Sequence, residues 1–321
     1  MKFLFFKKIF SHFKLTHKQK ANALLPIDIY TWIIHGLSEF FGTLILSLGL
    51  AGLSINVSGH TVEKWALLSN GIVGFFTGFI ILALCLLIFL RWSCDLNPIV
   101  SITRYLKGLH NGWYTSYKVF TQFLASIVAG AIIFVIGSSI NPNGLANTPI
   151  DAYQSAQKNF LVEISTIKPS LNLGITVIFF TELLMSLILL FGYFSPIIKE
   201  KYREFMILLL ISMSVWLGLL GGSVAMNPAR GLAQQLPTLF LYTNSNIAAD
   251  KIINSVAIAT VTMILANLLS SVVYVILQGF NNHYFNPFLH KIIKFKNHHS
   301  KSLISNNDLK KLTNSDKEQK S

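Results

Sequence analysis

Charge is scarce in this sequence. Asp, Glu, Lys and Arg supply 12% of 321 residues, about half the share found in a soluble domain. Strand alternation is missing too. The apolar runs are continuous and rich in Leu, Ile and Phe, which argues against a transmembrane β-barrel. Two cysteines, Cys85 and Cys94, give neither a disulfide framework nor a paired zinc motif. The opening MKFLFFKKIFSHFKL has an apolar core of only about four residues and no small-residue cleavage site. It is therefore expected to be a short amphipathic segment on the inner membrane face rather than a signal peptide. There is no HExxH, no paired-Asp motif and no nucleophile–His set, so the chain does not read as an enzyme.

What is abundant is apolar length. Hydrophobic residues make up 52% of the chain, and mean hydropathy is +0.56. Runs at about 33–55, 67–90, 114–138, 172–194 and 252–279 exceed the roughly 17 residues needed to cross a bilayer as helix, and 205–221 sits at that limit. Six spans are expected. The net charge of +13 raises the question of nucleic acid, but its distribution answers it. Of the 26 Lys and Arg, 21 lie in the two tails, in 91–107, in 199–203 and at Lys118. The excess reads as topology, with both termini cytoplasmic in a plasma membrane and attraction to anionic membrane lipid, not as a nucleic-acid surface. The tail from about 291 is basic and polar and is expected to be disordered. Abundant Lys, Asn, Ile and Phe fit a bacterial source.

Asn-Pro occurs four times, at 97–98, 141–142, 227–228 and 286–287. The pairs at 141 and 286 read as a turn or helix start. Each of the other two follows the second span of a three-span half and opens a moderately apolar segment of roughly eleven to fourteen residues, about half a membrane long. Each half also opens on a span with a buried acid, Glu39 or Glu182. Three spans per half forces the second half to be inverted. The expected fold is an all-α integral membrane protein with six transmembrane helices plus two re-entrant half-helices in an inverted repeat, a transport architecture. Repeat one covers about 33–138 and repeat two about 172–279, joined by an external loop at 139–171. Cytoplasmic basic tails at 1–32 and 280–321 flank this channel domain.

Asn before Pro suits a helix start, Asn as N-cap and Pro as first residue. The capping oxygen accepts a backbone N–H, which leaves the amide NH₂ as a donor. Asn97 and Asn227 would then present donors to a solute at the midplane. Two converging helix N-termini, each carrying about half a positive charge, repel cations there. A water held through its oxygen turns both hydrogens outward, which breaks a proton wire. Arg230, three residues after Asn227, lies on the same helix face and is expected to line water. Val100 holds the matching place in the first half. Glu39 and Glu182 need donors. The backbone N–H groups of the non-helical stretches before each Asn need acceptors, so each Glu is expected to brace one loop. Of the nine histidines only His35 lies close to a span.

Met226-Asn227-Pro228-Ala229-Arg230 and Leu96-Asn97-Pro98-Ile99-Val100, with Glu39-Phe40-Phe41-Gly42-Thr43 in the first span, resemble the motifs of the aquaporin and glycerol-facilitator family, the major intrinsic proteins. Ile99 replaces the usual Ala. The correspondence covers about 33–279. It implies a homotetramer with one pore per protomer, passive flux of water and glycerol or similar small polyols, and no cofactor. Offsets from the boxes place Thr77, Val215, Val224 and Arg230 at the family's selectivity filter, with Phe75 or Phe76 as alternatives to Thr77. Three modest side chains beside an Arg imply a wide opening. Gly231 stands where glycerol facilitators carry Asp and water-selective members Ser, so a water-selective channel is the alternative. Asp95 falls where the family has His, and Ser93 where it has Gly. Asp95 either pairs with Arg91 or Arg104 or stands free in the inner vestibule, beside Cys94, which is placed facing the pore. An ion-coupled secondary transporter is the more distant alternative, disfavoured because the intramembrane acids Glu39 and Glu182 are both read as braces.

Overall fold

The structure, a computed structural model, describes residues 2–16, 18–57, 59–66, 70–157, 168–240 and 247–299. Lys158 and the tail 300–321 lie outside the described residues. A short helix α1 (Lys2–Phe10) precedes the first span, α2 (Ile29–Ala51). Asp28 starts α2 by accepting the Thr31 N–H at 2.8 Å, an N-cap. A two-stranded hairpin, β1 (Asn56–Val57) and β2 (His60–Thr61), leads into α3 (Val62–Trp65). The second span runs through α4 (Asn70–Phe75), a π-helical segment at Phe76–Leu82 and α5 (Ala83–Phe89). The half-helix α6 (Pro98–Leu106) and the third span α7 (Gly112–Ile140) complete the first repeat.

The link holds α8 (Ala152–Gln157), and the second repeat repeats the pattern. It comprises α9 (Leu171–Phe194), α10 (Arg203–Gly221), the half-helix α11 (Pro228–Phe240) and α12 (Ile247–Phe280). A π-helical turn at Asn281–Phe285 joins α12 to α13 (Asn286–His299). Among the described residues six helices are long and apolar enough to cross a membrane.

The repeats interlock rather than sit side by side. Half-helix α11 packs on α7 and α2 of the first repeat, and α6 packs on α12 of the second. One buried cluster therefore joins Leu82, Leu96 and Ile99 to Met185, Val215 and Met226. The link is fastened to α11. Gln235 accepts the Ile150 N–H at 2.8 Å and donates to the Ile150 carbonyl at 2.8 Å, and Asn147 donates to the Gln234 carbonyl at 2.8 Å.

Two expectations are corrected, the length of the first half-helix and the disorder of the tail. Half-helix α6 has nine residues, fewer than eleven to fourteen, because Gly108 at φ 72° ends it. Its N–H and that of Lys107 turn back to the carbonyls of Tyr105 and Thr103, the left-handed stop that glycine favours. Asn286-Pro287 takes the helix-start alternative rather than the turn, since α13 begins at Asn286. Proline is harmless in the first turn of a helix, and the π-helical turn before it carries the chain straight on into α13. Accordingly helix continues beyond 279, and the tail is helical as far as His299 where disorder was expected from about 291. Finally, α1 rests against α12, with Ile9 buried and its carbonyl close over Gly279. Protein thus receives Ile9, while Phe6 and Phe10 on the same helix stay half exposed.

Candidate functional site

Both boxes are built from one local rule. Asn97 takes extended backbone (φ −151°, ψ 120°) and accepts the Ile99 N–H at 3.1 Å. Asn227 accepts the N–H groups of Ala229 at 3.0 Å and Arg230 at 3.3 Å. The residue before each Asn is left-handed, Leu96 at φ 50° and Met226 at φ 52°. That conformation costs about 1–2 kcal/mol in a residue with a Cβ. It turns two successive N–H groups toward one point, an anion nest, and a buried carboxylate sits there. Glu39 accepts from the N–H groups of Asp95 (2.9 Å) and Leu96 (2.8 Å). Glu182 accepts from those of Ala225 (2.8 Å) and Met226 (2.8 Å). Hydrogen bonds to a charged group contribute about 1.5–3 kcal/mol each, so two of them outweigh the backbone strain.

The two boxes also bond to each other. The Asn97 amide donates to the Met226 carbonyl at 3.0 Å, and the Asn227 amide donates to the Leu96 carbonyl at 2.7 Å. One N–H of each NH₂ is thereby engaged, so each Asn has a single N–H left for a solute, where sequence reasoning counted the whole NH₂ as pointing away. Pro98, Ile99, Pro228 and Ala229 are buried behind the two caps.

Three cavities lie at or near this junction and share lining residues. The first, about 260 Å³, is bordered by Leu50, Thr77, Val215, Val224, Arg230 and Glu63. The second, about 40 Å³, is bordered by both box Asn residues with Leu82, Tyr193 and Ile211, and shares Leu50, Thr77 and Arg230 with the first. The third, about 490 Å³, lies toward the chain termini and holds Trp92, Cys94, Arg104, His110 and Lys118. Asp95 borders both the second and the third.

Arg230 is held by its Nη atoms, which donate to the carbonyls of Val224 (3.1 Å) and Leu50 (3.2 Å). Its Nε–H has no partner among the described residues. At the position left open between Thr77 and its neighbours, Thr77 borders two cavities, while Phe75 and Phe76 border neither. Phe75 is half exposed and stacks on Phe79 at 5.1 Å. The ambiguity came from the π-helical segment, which adds a residue per turn and spoils any count along an α-helix.

Asp95 is neither free nor paired with Arg91. It binds Arg104 at 2.9 Å and also Lys118 at 2.5 Å, and accepts from Ser101 at 2.8 Å. Lys118 lies 3.0 Å from Glu39 as well. Sequence reasoning set Lys118 among the cytoplasmic charges, yet its side chain is 2% exposed. Glu39 is thus more than a brace. Cys94 does not border the central cavity, and its thiol points to the Cys85 carbonyl at 3.8 Å. The matched serines Ser93 and Ser223, donating to Glu39 (2.6 Å) and Glu182 (2.5 Å), were also missed. Their signal was legible, since both stand four residues before the box Asn.

One histidine does belong to this neighbourhood. His110, beside α7, is buried, and its ring lies 4.9 Å from that of Tyr114. Burial pushes its pKa down from 6.5 to about 4, with Asp95 acting against the shift and Lys118 and Arg104 adding to it. The unfolded chain therefore binds the proton more tightly. Stability is expected to be full above about pH 6.5 and to fall toward pH 4, by at most about 1.4 kcal/mol per pH unit. His110→Gln should flatten that slope in detergent unfolding curves, and an unchanged slope would assign it to other groups.

Comparison of the sequence with protein-family models and with curated proteins finds no match. Comparison of the fold with solved structures does. The X-ray structure of the aquaglyceroporin from Plasmodium falciparum is similar at a TM-score of 0.54 and 19% sequence identity, over 81% of this chain and 99% of that one. With six membrane-length helices, two half-helices joined tip to tip and that neighbour, the chain has the aquaporin and glycerol-facilitator fold.

Proposed function

We propose that this protein is a passive membrane channel for water and small neutral solutes such as glycerol, and that it excludes protons and ions. The observation that carries the reading is the reciprocal Asn97–Asn227 junction, with one N–H on each amide left over at a small cavity. Two half-helix N-termini place about half a positive charge each at that point, which disfavours cations. A water accepting from both amides cannot relay a proton along the file. The unpartnered Nε–H of Arg230 is a donor for a passing hydroxyl. Among the described residues the larger cavity beside it has no aromatic lining, which fits a polyol better than a filter for water alone. The second reading, water selectivity, is favoured by the small volume between the boxes, about 40 Å³.

The remaining parts of the reading are one pore in each protomer of a homotetramer, residues 33–279 as the channel and basic tails in the cytoplasm. Stopped-flow light scattering on proteoliposomes tests the function. Water shrinkage and glycerol re-swelling should both be fast, unsaturated and low in activation energy. Arg230→Ala should speed glycerol by severalfold and admit a proton leak. Fast water without glycerol would select the second reading, and neither above empty vesicles would sink the channel.

A further inference from the structure

Overlaying the two repeats in sequence exposes a difference at the braces. Asp95 and Ala225 each stand two residues before the box Asn, and Ser101 and Gly231 each stand four after it. In the second repeat the space around Gly231 is filled by Met263. A Cβ on Gly231 would lie 2.5 Å from the Met263 sulfur and 3.0 Å from the Ala225 Cβ. In the first repeat the corresponding places are polar: Asp95 carries a charge, Ser101 donates to it, and Lys118 on the third span pairs with it. The apolar set shows that packing alone does not demand charges.

The charges follow from the box itself. Glu182 shares its half with the cation Arg230, which opens the second half-helix. Glu39 has only buried Val100 at the place matching Arg230. Its cation comes from Lys118, at 3.0 Å, and with Asp95 and Arg104 the group holds two carboxylates and two cations. His110 beside it is uncharged at neutral pH. His35 and Tyr114, joined at 2.7 Å, close the side facing α2.

We propose that Lys118 is the charge-balancing residue of the first box: with Arg104 it offsets Glu39 and Asp95, and this neutrality keeps cations from collecting where Asp95 borders the passage. The cation part rests on the channel reading above, and the folding part does not. A lone carboxylate left in a buried site attracts cations strongly. Removing one partner of a buried pair is far more damaging than replacing both by packed apolar groups.

The test compares Lys118→Met, Lys118→Arg and the double variant Asp95→Ala with Lys118→Met, which copies Ala225 and Met263. Unfolding midpoints are read in detergent, and potassium leak and water shrinkage in proteoliposomes. Lys118→Met should lower the midpoint or raise potassium leak about tenfold. The double variant and Lys118→Arg should both match the parent. A Lys118→Met protein that matches the parent in both readouts overturns the proposal. So does a double variant, or a Lys118→Arg protein, as damaged as Lys118→Met. A parent without water flux would defeat the channel reading while leaving the midpoints to decide the charge balance.

Discussion

Glu182→Ala is expected to remove most of the folded protein. Three donors converge on that carboxylate, the Ser223 hydroxyl and the N–H groups of Ala225 and Met226, and all three belong to buried residues. Each buried donor left unmatched costs about 1–3 kcal/mol. The sum is on the scale of the whole stability of a domain, about 5–15 kcal/mol. Met226 would also lose what holds it in its left-handed conformation. Glu182→Gln should be milder, since the amide oxygen still accepts while its NH₂ faces N–H groups that also donate. The order parent, Gln, Ala in monodisperse yield and unfolding midpoint is the expected result. An Ala variant as stable as the parent would mean that water satisfies the loop and that the acid is not a brace.

Thr77→Phe should lower glycerol flux about tenfold while changing water flux by less than about threefold. Thr77 stands where the first and second cavities meet, and its neighbours there, Leu50, Val215 and Val224, are modest in size. Forcing a larger group into a fitted space costs about 1–3 kcal/mol, and 1.4 kcal/mol is a factor of ten. Water is small enough to pass a ring that stops a three-carbon solute. Thr77→Val serves as the control. It removes only the hydroxyl, which donates to the Val73 carbonyl at 2.8 Å, and should leave both fluxes close to the parent's. Unchanged glycerol flux in the Phe variant would move the narrow point elsewhere, with Tyr193 in the central cavity as the next candidate.

How much of this could be read from the sequence depends on how local the cause is. The six spans and two half-helices follow from runs of apolar residues and from Asn-Pro, signals carried by neighbours in the chain. Lys118 shows the opposite case. Nothing near it in sequence says that it points inward, and its partners Glu39 and Asp95 are 79 and 23 residues away. Only the packing of α7 against α2 and α6 brings the three together. The π-helical segment at Phe76–Leu82 has no compositional mark either, so the facing of Thr77 could not be counted from the boxes. The length of α6 was readable in part: Gly108 announces a stop, which the half-membrane length read from the sequence ran past.

The exchange of hydrogen bonds between the boxes also bears on how the chain is made. Asn97 and Leu96 find their partners in Met226 and Asn227, 129 and 131 residues later. A ribosome delivering the first repeat to the membrane therefore delivers a half with an open end. Its Leu96 carbonyl has no Asn227 amide to accept from until the other half arrives. Each half supplies what the other lacks, so the middle of the molecule can close only once both are present.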